Sequence, residues 1–241
     1  MNRIVFSILI LGFFCSAKAQ NIIDVEGALV RSDTLQKNIF LCFTGHDYYE
    51  GFDYVLKVLK TKKIKASFFF TGDFVRSHKH LVKSIINQGH YVGAHSDKHL
   101  LYCDWSKRDS LLYSTSIIKE DISRNIKLLN DLSVEALYFM PPYEWYNKKV
   151  VEIANELNLI TINYSSGTRS NADYTTPDMS NYISSEAILK SIYEYEKLNG
   201  MNGFHLLIHP GTNPLRKDKL YLHLDELISY LMNKGYDFKK F

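Results

Sequence analysis

Apolar and polar positions along the chain follow two periods, and their alternation predicts strands separated by helices. Short apolar runs bounded by turn residues have strand length, whereas apolar side chains three and four positions apart indicate amphipathic helices. The predicted strands are 38–43, 66–71, 90–94, 136–139, 159–163, 204–208 and a short 236–238. The predicted helices are 52–62, 79–88, 110–132, 147–158, 185–199 and 220–234.

The alternation of strands and helices predicts a parallel sheet with helical crossovers. About seven such repeats without an internal break predict one α/β domain that closes into a distorted (β/α) barrel. The polar clusters of the sequence come directly after strands, and in a barrel these strand ends converge on one face, where sites form. The clusters are His46–Asp47, His95–His99, Tyr143–Trp145, the loop 165–178 and His209.

The first 19 residues have the pattern of a secretory signal. Arg3 precedes an apolar run over residues 4–14, and a small-x-small cleavage site ends at Ala19. The apolar run is too short to span a bilayer, so a membrane anchor is disfavoured, and no later stretch has the composition of a membrane span. We therefore expect a secreted or periplasmic protein whose single catalytic domain is residues 20–241.

The net charge of the chain restricts the macromolecules that it could bind. The whole chain has a formal net charge of +3, and loss of Arg3 and Lys18 with the leader brings it close to neutral. Such balance argues against nucleic acid or an anionic membrane as a partner.

Cys42 lies in a predicted strand and is expected to be a buried thiol, with a disulfide to Cys103 as the less favoured alternative.

His95 and His99 stand four residues apart, just after a predicted strand. Neutral imidazole nitrogens are common ligands of zinc-type ions, and at this spacing both rings face one ion if the chain coils after His95. A pair at this spacing is also typical of solvated or packed histidines. The neighbouring motifs therefore decide between the two interpretations.

Four motifs resemble those of the polysaccharide deacetylases of carbohydrate esterase family 4, over nearly the whole chain after the leader. They are H-S-D-K-H at 95–99, A-S-F-F-F-T-G at 66–72, P-P-Y at 141–143 and L-I-H at 207–209. In the family they correspond to H-[ST]-x-x-H, the second strand, R-x-P-Y and L-x-H. The resemblance implies a distorted (β/α) barrel that uses a divalent metal ion to hydrolyse acetyl groups on carbohydrate. Zinc is the first expectation, with cobalt, nickel or manganese as alternatives.

The first family motif, T-F-D-D, is altered in this chain. An ungapped match places the base and ligand aspartates at Thr44 and Gly45, so both carboxylates are missing. Asp47 lies two residues further on and, in an extended chain, on the same side as Gly45. We therefore expect Asp47, His95 and His99 to form the metal triad. The alternative is a surface turn whose polar residues take no part.

The resemblance also implies an acid, a base and an oxyanion donor. His209, from the L-x-H match, is the expected acid, and the backbone N–H of Tyr143 the expected oxyanion donor. His46 is the first candidate for the base, because it falls on the same side as the vacant base position. Glu144 and Glu50 are the next candidates.

Two further family features are altered. The arginine that holds the base aspartate is Met140 here, so the charge pair is lost as a whole. The fourth motif, an Asp-Trp segment that supports the catalytic histidine, has no clear match. Asp173 or Asp178 is a candidate replacement and Arg169 a candidate substrate contact, although solvated loop charges explain them as well. The candidates for lining the acetyl or sugar pocket are Trp145 and Leu207.

Three functions remain open at this point. We favour a secreted, metal-dependent hydrolase that removes N- or O-acetyl groups from a carbohydrate substrate. The first alternative is a carbohydrate-binding protein on the same scaffold, with impaired catalysis. The second is a related hydrolase of C–N bonds in small molecules. The retained His46, Asp47 and His209 favour the enzyme over the binder, and the leader disfavours small-molecule metabolism, which is usually cytosolic.

Overall fold

The computed structural model describes residues 19–241, so the predicted leader lies outside the described residues except for Ala19. The strands are β1 Ile22–Ile23, β2 Leu29–Arg31, β3 Asn38–Gly45, β4 Ser67–Phe70, β5 Tyr91–Ala94, β6 Tyr138–Phe139, β7 Ile160–Thr161, β8 Phe204–Ile208 and β9 Asp237–Lys239. The α-helices are α1 Phe52–Lys62, α2 Gly72–Ser77, α3 Lys79–Asn87, α4 Thr115–Asn130, α5 Lys148–Glu156, α6 Ser185–Asn199 and α7 Leu224–Asn233. Short 3₁₀ turns span Pro142–Glu144, Ser170–Tyr174 and Leu220–His223.

The strands form one curled sheet in the order β1-β2-β8-β3-β4-β5-β6-β7, with β9 beside the start of β3. The strands from β8 through β7 in this order are parallel, and β1 and β2 are antiparallel additions. The segment after β7 returns to the other edge, where Asn163 N donates to Leu29 O (3.0 Å) and Ser165 N to His205 O (2.9 Å). These bonds curl the sheet towards closure, and the predicted distorted (β/α) barrel is confirmed.

Successive side chains on the central strands point alternately inward and outward, and both sides are buried. Phe43 and Phe68 pack outward beneath the helices, in the larger apolar cluster. Cys42, Phe69 and Leu207 point into the barrel and pack together in a separate interior cluster. The sequences of these strands are therefore continuous apolar runs. Both Cys42 and Cys103 are buried free thiols, which confirms the thiol prediction for Cys42.

Some predicted boundaries were wrong for local reasons. The helix predicted over 110–132 begins only at Thr115, because Ser114 caps it by accepting a hydrogen bond from Ile117 N (3.4 Å) and Leu111 pairs with Cys103. The short helix α2 was missed. Thr71, the last residue of the predicted strand 66–71, is its cap and accepts from Phe74 N (3.1 Å).

The buried side chain of Asn125 on α4 joins the ends of two central strands. Its Nδ2 donates to Phe70 O at the end of β4 (3.1 Å), and its Oδ1 accepts from His95 N after β5 (2.9 Å). An amide is needed here, because one side chain must supply both a donor and an acceptor. The first imidazole of the predicted metal pair is thereby fixed relative to the sheet. Within residues 19–241, no helix is both long and apolar enough to cross a membrane.

Replacement of Asn125 by the similarly sized Leu should destabilise the fold by about 2–3 kcal/mol, because Phe70 O and His95 N lose their partner in a buried place. Denaturant unfolding measures this loss. Asn130→Leu, at the exposed end of the same helix, is the control and should change stability by less than about 0.5 kcal/mol. Equal effects of the two substitutions would contradict the bridging role.

Candidate active site

The polar loops at the carboxyl ends of the strands surround one cleft of about 510 Å³. Its wall contains the three predicted metal ligands and, apart from Glu50, the residues predicted as acid, base and oxyanion donor, together with aromatic side chains. The lining residues are Thr44, His46, Asp47, Tyr48, His95, His99, Trp105, Tyr143, Glu144, Trp145, Tyr164, Asn171, Tyr174, His209 and Gly211. Leu207, a candidate for the pocket, lies instead in the barrel interior, whereas Trp145 does line the cleft.

The His95 imidazole is held in one tautomer. Its Nδ1 lies 2.7 Å from Met140 O, and since a carbonyl only accepts, Nδ1 carries the proton. Burial lowers the pKa of His95 to about 3, so the ring is neutral and its Nε2 lone pair is free. A backbone carbonyl on the far nitrogen is the usual support of a metal-binding histidine. Met140, which stands where the family has arginine, thus contributes through its backbone.

His99 is packed between other aromatic rings. His46 stacks on it with a centroid distance of 4.2 Å and an interplanar angle of 17°, and Tyr143 lies 4.4 Å away. The His95 ring centroid is 5.0 Å from that of His99. Burial, with smaller effects from the neighbouring imidazoles, lowers the pKa of His99 far below its usual range. Both histidines of the motif are therefore uncharged and available as nitrogen donors.

Asp47 does not contact either of these rings in the structure. Its carboxylate pairs with His46, with Oδ1 3.2 Å from Nε2, and its side chain is 67% exposed. No group of three or more His, Cys, Asp and Glu side chains within residues 19–241 is arranged to hold a metal ion. Two neutral imidazoles, a donor type that zinc-type ions take, thus lie in the cleft, while the third predicted donor is paired with His46.

Packing at the end of β3 leaves no room for one of the two missing carboxylates. A Cβ atom on Gly45 would lie 2.7 Å from Phe70 Cδ1 and 3.0 Å from Phe74 Cε2, well inside van der Waals contact. The space in which a ligand aspartate would begin is therefore filled by packed rings. Thr44, at the base position, does line the cleft but offers only a hydroxyl group.

His209 and Asp173 form a buried ion pair across the cleft. Asp173 accepts twice, from His209 N (2.8 Å) and from Nδ1 (2.5 Å). Burial alone would lower the pKa of His209, but the charge and hydrogen bond of Asp173 outweigh it and raise the pKa. Asp173 therefore takes the supporting role for which two residues were candidates. Asp178, the other candidate for this role, and Arg169, the candidate substrate contact, are exposed. Neither residue lines the cleft formed by the described residues.

The turn after β6 carries two predicted site residues in an unusual conformation. Tyr143 and Glu144 both have left-handed backbone angles, with φ of 59° and 52°. Such strain in consecutive non-glycine residues is typical of functional sites. Within the described chain, the Tyr143 N–H donates to no protein acceptor, so it is free to face a ligand. Burial raises the pKa of Glu144 to about 7, although the nearby His209 opposes the shift.

Glu50, the remaining candidate for the base, has a structural role. Its Oε1 accepts from Thr212 N (3.0 Å) and from Lys219 Nζ (2.9 Å), which ties the loop after β8 to the loop after β3. It does not line the cleft that the described residues form. Taken together, the cleft combines two neutral imidazoles, a histidine whose pKa is raised by Asp173 and a carboxyl group whose pKa is raised to about 7, a set suited to acid–base hydrolysis.

Comparison with known proteins identifies the family. The polysaccharide deacetylase family model matches residues 31–162, more than half of the chain. This chain belongs to the polysaccharide deacetylase family. It is 30% identical over 193 residues to the uncharacterized protein YlxY of Bacillus subtilis, covering 80% of this chain but only 51% of YlxY. It is 27% identical over 184 residues to a peptidoglycan-N-acetylglucosamine deacetylase of Bacillus cereus, covering 76% of each.

Solved structures of carbohydrate esterase family 4 proteins have the same fold as this chain. A carbohydrate esterase family 4 pseudoenzyme from Bacillus anthracis superposes with a TM-score of 0.73 at 21% identity, over 89% of this chain and 67% of that one. A mutant of that pseudoenzyme, described as having restored enzymatic activity, gives a TM-score of 0.69. At this level of identity the likeness establishes the distorted barrel and leaves the chemistry to the residues of this chain.

The raised pKa of Glu144 makes stability depend on pH. Between its ordinary pKa of 4.5 and about 7, the folded protein holds this proton more tightly than the unfolded chain does. The resulting destabilisation is absent below that window and complete above it. Glu144→Gln should therefore stabilise the fold by about 1 kcal/mol at pH 8, allowing for partial solvent access, and by almost nothing at pH 4.

Thermal unfolding at the two pH values measures the effect of Glu144→Gln. The exposed Glu135, changed to Gln in the same way, is the control and should show no gain at either pH. A gain of equal size at pH 4 and pH 8 in the Glu144 variant would contradict the pKa assignment, because it would not follow ionisation.

Proposed function

We propose that this polysaccharide deacetylase family member is a secreted or periplasmic, metal-dependent hydrolase that removes N- or O-acetyl groups from carbohydrate. The observation that carries the proposal is the buried pair of His209 and Asp173, which raises the pKa of His209, in one cleft with two neutral imidazole donors. A protein that only bound sugars would have no use for a buried carboxylate that keeps a histidine charged.

Asp47, His95 and His99 are the proposed metal ligands. The two histidines support this assignment by their neutral state and by the fixed tautomer of His95. Asp47 lines the same cleft, and its exposed carboxylate is paired only with His46, which supports its assignment as the third ligand. A divalent ion, zinc in first place and cobalt, nickel or manganese as alternatives, would polarise the acetyl carbonyl and acidify a water molecule.

His209 is the proposed general acid. With Nδ1 engaged by Asp173, its Nε2 is the atom left to give a proton to the leaving sugar oxygen or nitrogen. Asp173 has two effects here, because it orients the ring and favours the protonated form. The enzyme should therefore lose activity as the pH rises through the raised pKa of His209.

Either His46 or Glu144 is the proposed base. His46 lines the cleft beside the vacant base position and is stacked on His99. Glu144 has the pKa of about 7 that suits proton transfer near neutral pH. The free N–H of Tyr143 is the proposed oxyanion donor, and its strained turn is the cost of presenting it.

The substrate class is taken from the relatives. Since relatives of this chain are named for deacetylation of peptidoglycan N-acetylglucosamine, we propose a glycan that contains this sugar. The leader pattern over residues 1–19 and the cell-wall location of such a glycan together support export from the cytoplasm.

One alternative has a specific observation in its favour. Both family carboxylates are replaced at Thr44 and Gly45, and packed rings close the second position. A carbohydrate-binding protein without turnover would explain this loss. It would bind acetylated glycans and release no acetate.

Acetate release from N-acetylglucosamine oligomers and soluble peptidoglycan fragments, with zinc supplied, tests the enzyme proposal. Asp173→Asn should lower kcat/KM by about 100-fold and move the high-pH limb of the activity profile to lower pH, because His209 loses its charged partner. Asp178→Asn, a change of the same kind on the exposed part of the loop, should leave both unchanged. Absence of acetate from every glycan, or an unmoved limb in Asp173→Asn, would contradict the mechanism.

A further inference from the structure

The exposed aromatic side chains of the described chain are all found on one face. Large aliphatic side chains with more than a third of their surface exposed are scattered over the molecule, but the aromatic ones all lie in loops at the carboxyl end of the barrel. These residues are Tyr48, Tyr49, Trp105, Tyr113, Tyr143 and Tyr174. Four of the six line the cleft. Such a concentration of exposed aromatic surface indicates a binding face.

Trp105 is the most exposed of these rings, at 57%. It stands at the cleft wall beside two other aromatic residues, with its centroid 5.3 Å from that of Trp145 and 5.9 Å from that of Tyr143. Tyr143 in turn contacts His99, so the aromatic wall runs from the solvent to the reaction centre. An extended ligand whose one end reached His99 would pass over the Trp105 ring.

Polar contacts from behind hold this wall in place. The Arg108 guanidinium lies 4.3 Å from the centre of the Trp145 ring, and the Trp145 indole N–H donates to Asp104 O (3.2 Å). The Asp104 carboxylate accepts from Ser106 N (2.7 Å) and Lys107 N (2.8 Å), which fixes the loop on both sides of Trp105. A ligand therefore meets a surface that is already ordered, and little entropy is lost when it binds.

We propose that Trp105 is a stacking platform for a second sugar unit, bound next to the unit whose acetyl group reacts. One face of a pyranose ring presents C–H groups, which suit the flat face of an indole, while its hydroxyl groups stay at the edge in contact with water. The inference rests on the proposed function for the place of the reacting unit. It adds that Trp105 binds a second unit of the glycan and that a single sugar does not fill the site.

Binding of N-acetylglucosamine and its β-1,4-linked oligomers tests the platform. The chain has two tryptophans, and both lie at the cleft, so tryptophan fluorescence excited at wavelengths where tyrosine does not absorb reports this region. Affinity should rise with chain length in the wild type. Trp105→Ala should weaken oligomer binding about tenfold, the loss of one aromatic contact, and leave binding of the monosaccharide unchanged. Trp105→Phe should keep most of the oligomer affinity.

Tyr49→Ala is the matched control. Tyr49 is 56% exposed on the same face, but its ring packs on His78 (4.3 Å), and Tyr49 does not line the cleft formed by the described residues. Its replacement should leave binding of every oligomer unchanged. Calorimetry measures affinity in all variants, since Trp105→Ala removes one of the fluorescent reporters.

Three results would overturn the platform. They are unchanged oligomer binding in Trp105→Ala, an equal loss for monosaccharide and oligomers, and no binding of any oligomer or soluble peptidoglycan fragment to the wild type at millimolar concentration. Acetate measured in the same samples separates this proposal from the proposed function. Binding that depends on Trp105 without acetate release supports the platform and contradicts the deacetylase. Acetate release from oligomers that is unchanged in Trp105→Ala supports the deacetylase and contradicts the platform.

Discussion

Buried polar groups hold the backbone of the loop from His95 to His99. Ser96 and His99 have left-handed φ angles of 71° and 55°, a conformation that costs about 1–3 kcal/mol at each residue. Asp121 Oδ1 offsets this by accepting from Lys98 N (2.9 Å), and Ser96 Oγ accepts from His99 N (2.9 Å). These bonds position His99, and the bonds of His95 to Asn125 and Met140 position the other imidazole of the cleft.

The same loop also restricts which residues can pack against it. Arg76 on α2 binds the Asp97 carboxylate (2.7 Å), and a Cβ on Gly72 would lie 1.8 Å from Asp97 Oδ1. Glycine is therefore required where α2 begins. In the same cleft, the buried Asp173 raises the pKa of His209, whereas burial lowers the pKa of His95. Histidines whose pKa values are shifted in opposite directions thus share one cleft, as the proposed roles of acid and metal ligand require.

Local patterns predicted the fold well and the chemistry only in part. The helix Phe52–Lys62 and the strand Phe204–Ile208 have their predicted bounds, since both follow from the spacing of their own apolar residues. The position of Asp47 could not be derived in this way. The period of two ends with β3 at Gly45, and the chain bends at His46, so it is His46 that contacts His99. Asp173 was separable from Asp178 only by its burial, which depends on the whole loop.

Elemental analysis of the purified protein, dialysed against zinc and then against buffer, tests the central claim most directly. Because two neutral imidazoles are already in place, the account predicts about one ion per chain in the wild type. That ion should be lost in Asp47→Ala and in His99→Ala, and kept in Asp178→Ala. An ion retained without Asp47 would contradict the proposed ligand set. No ion in the wild type would contradict the metal-dependent hydrolase and leave a carbohydrate-binding protein on the same barrel.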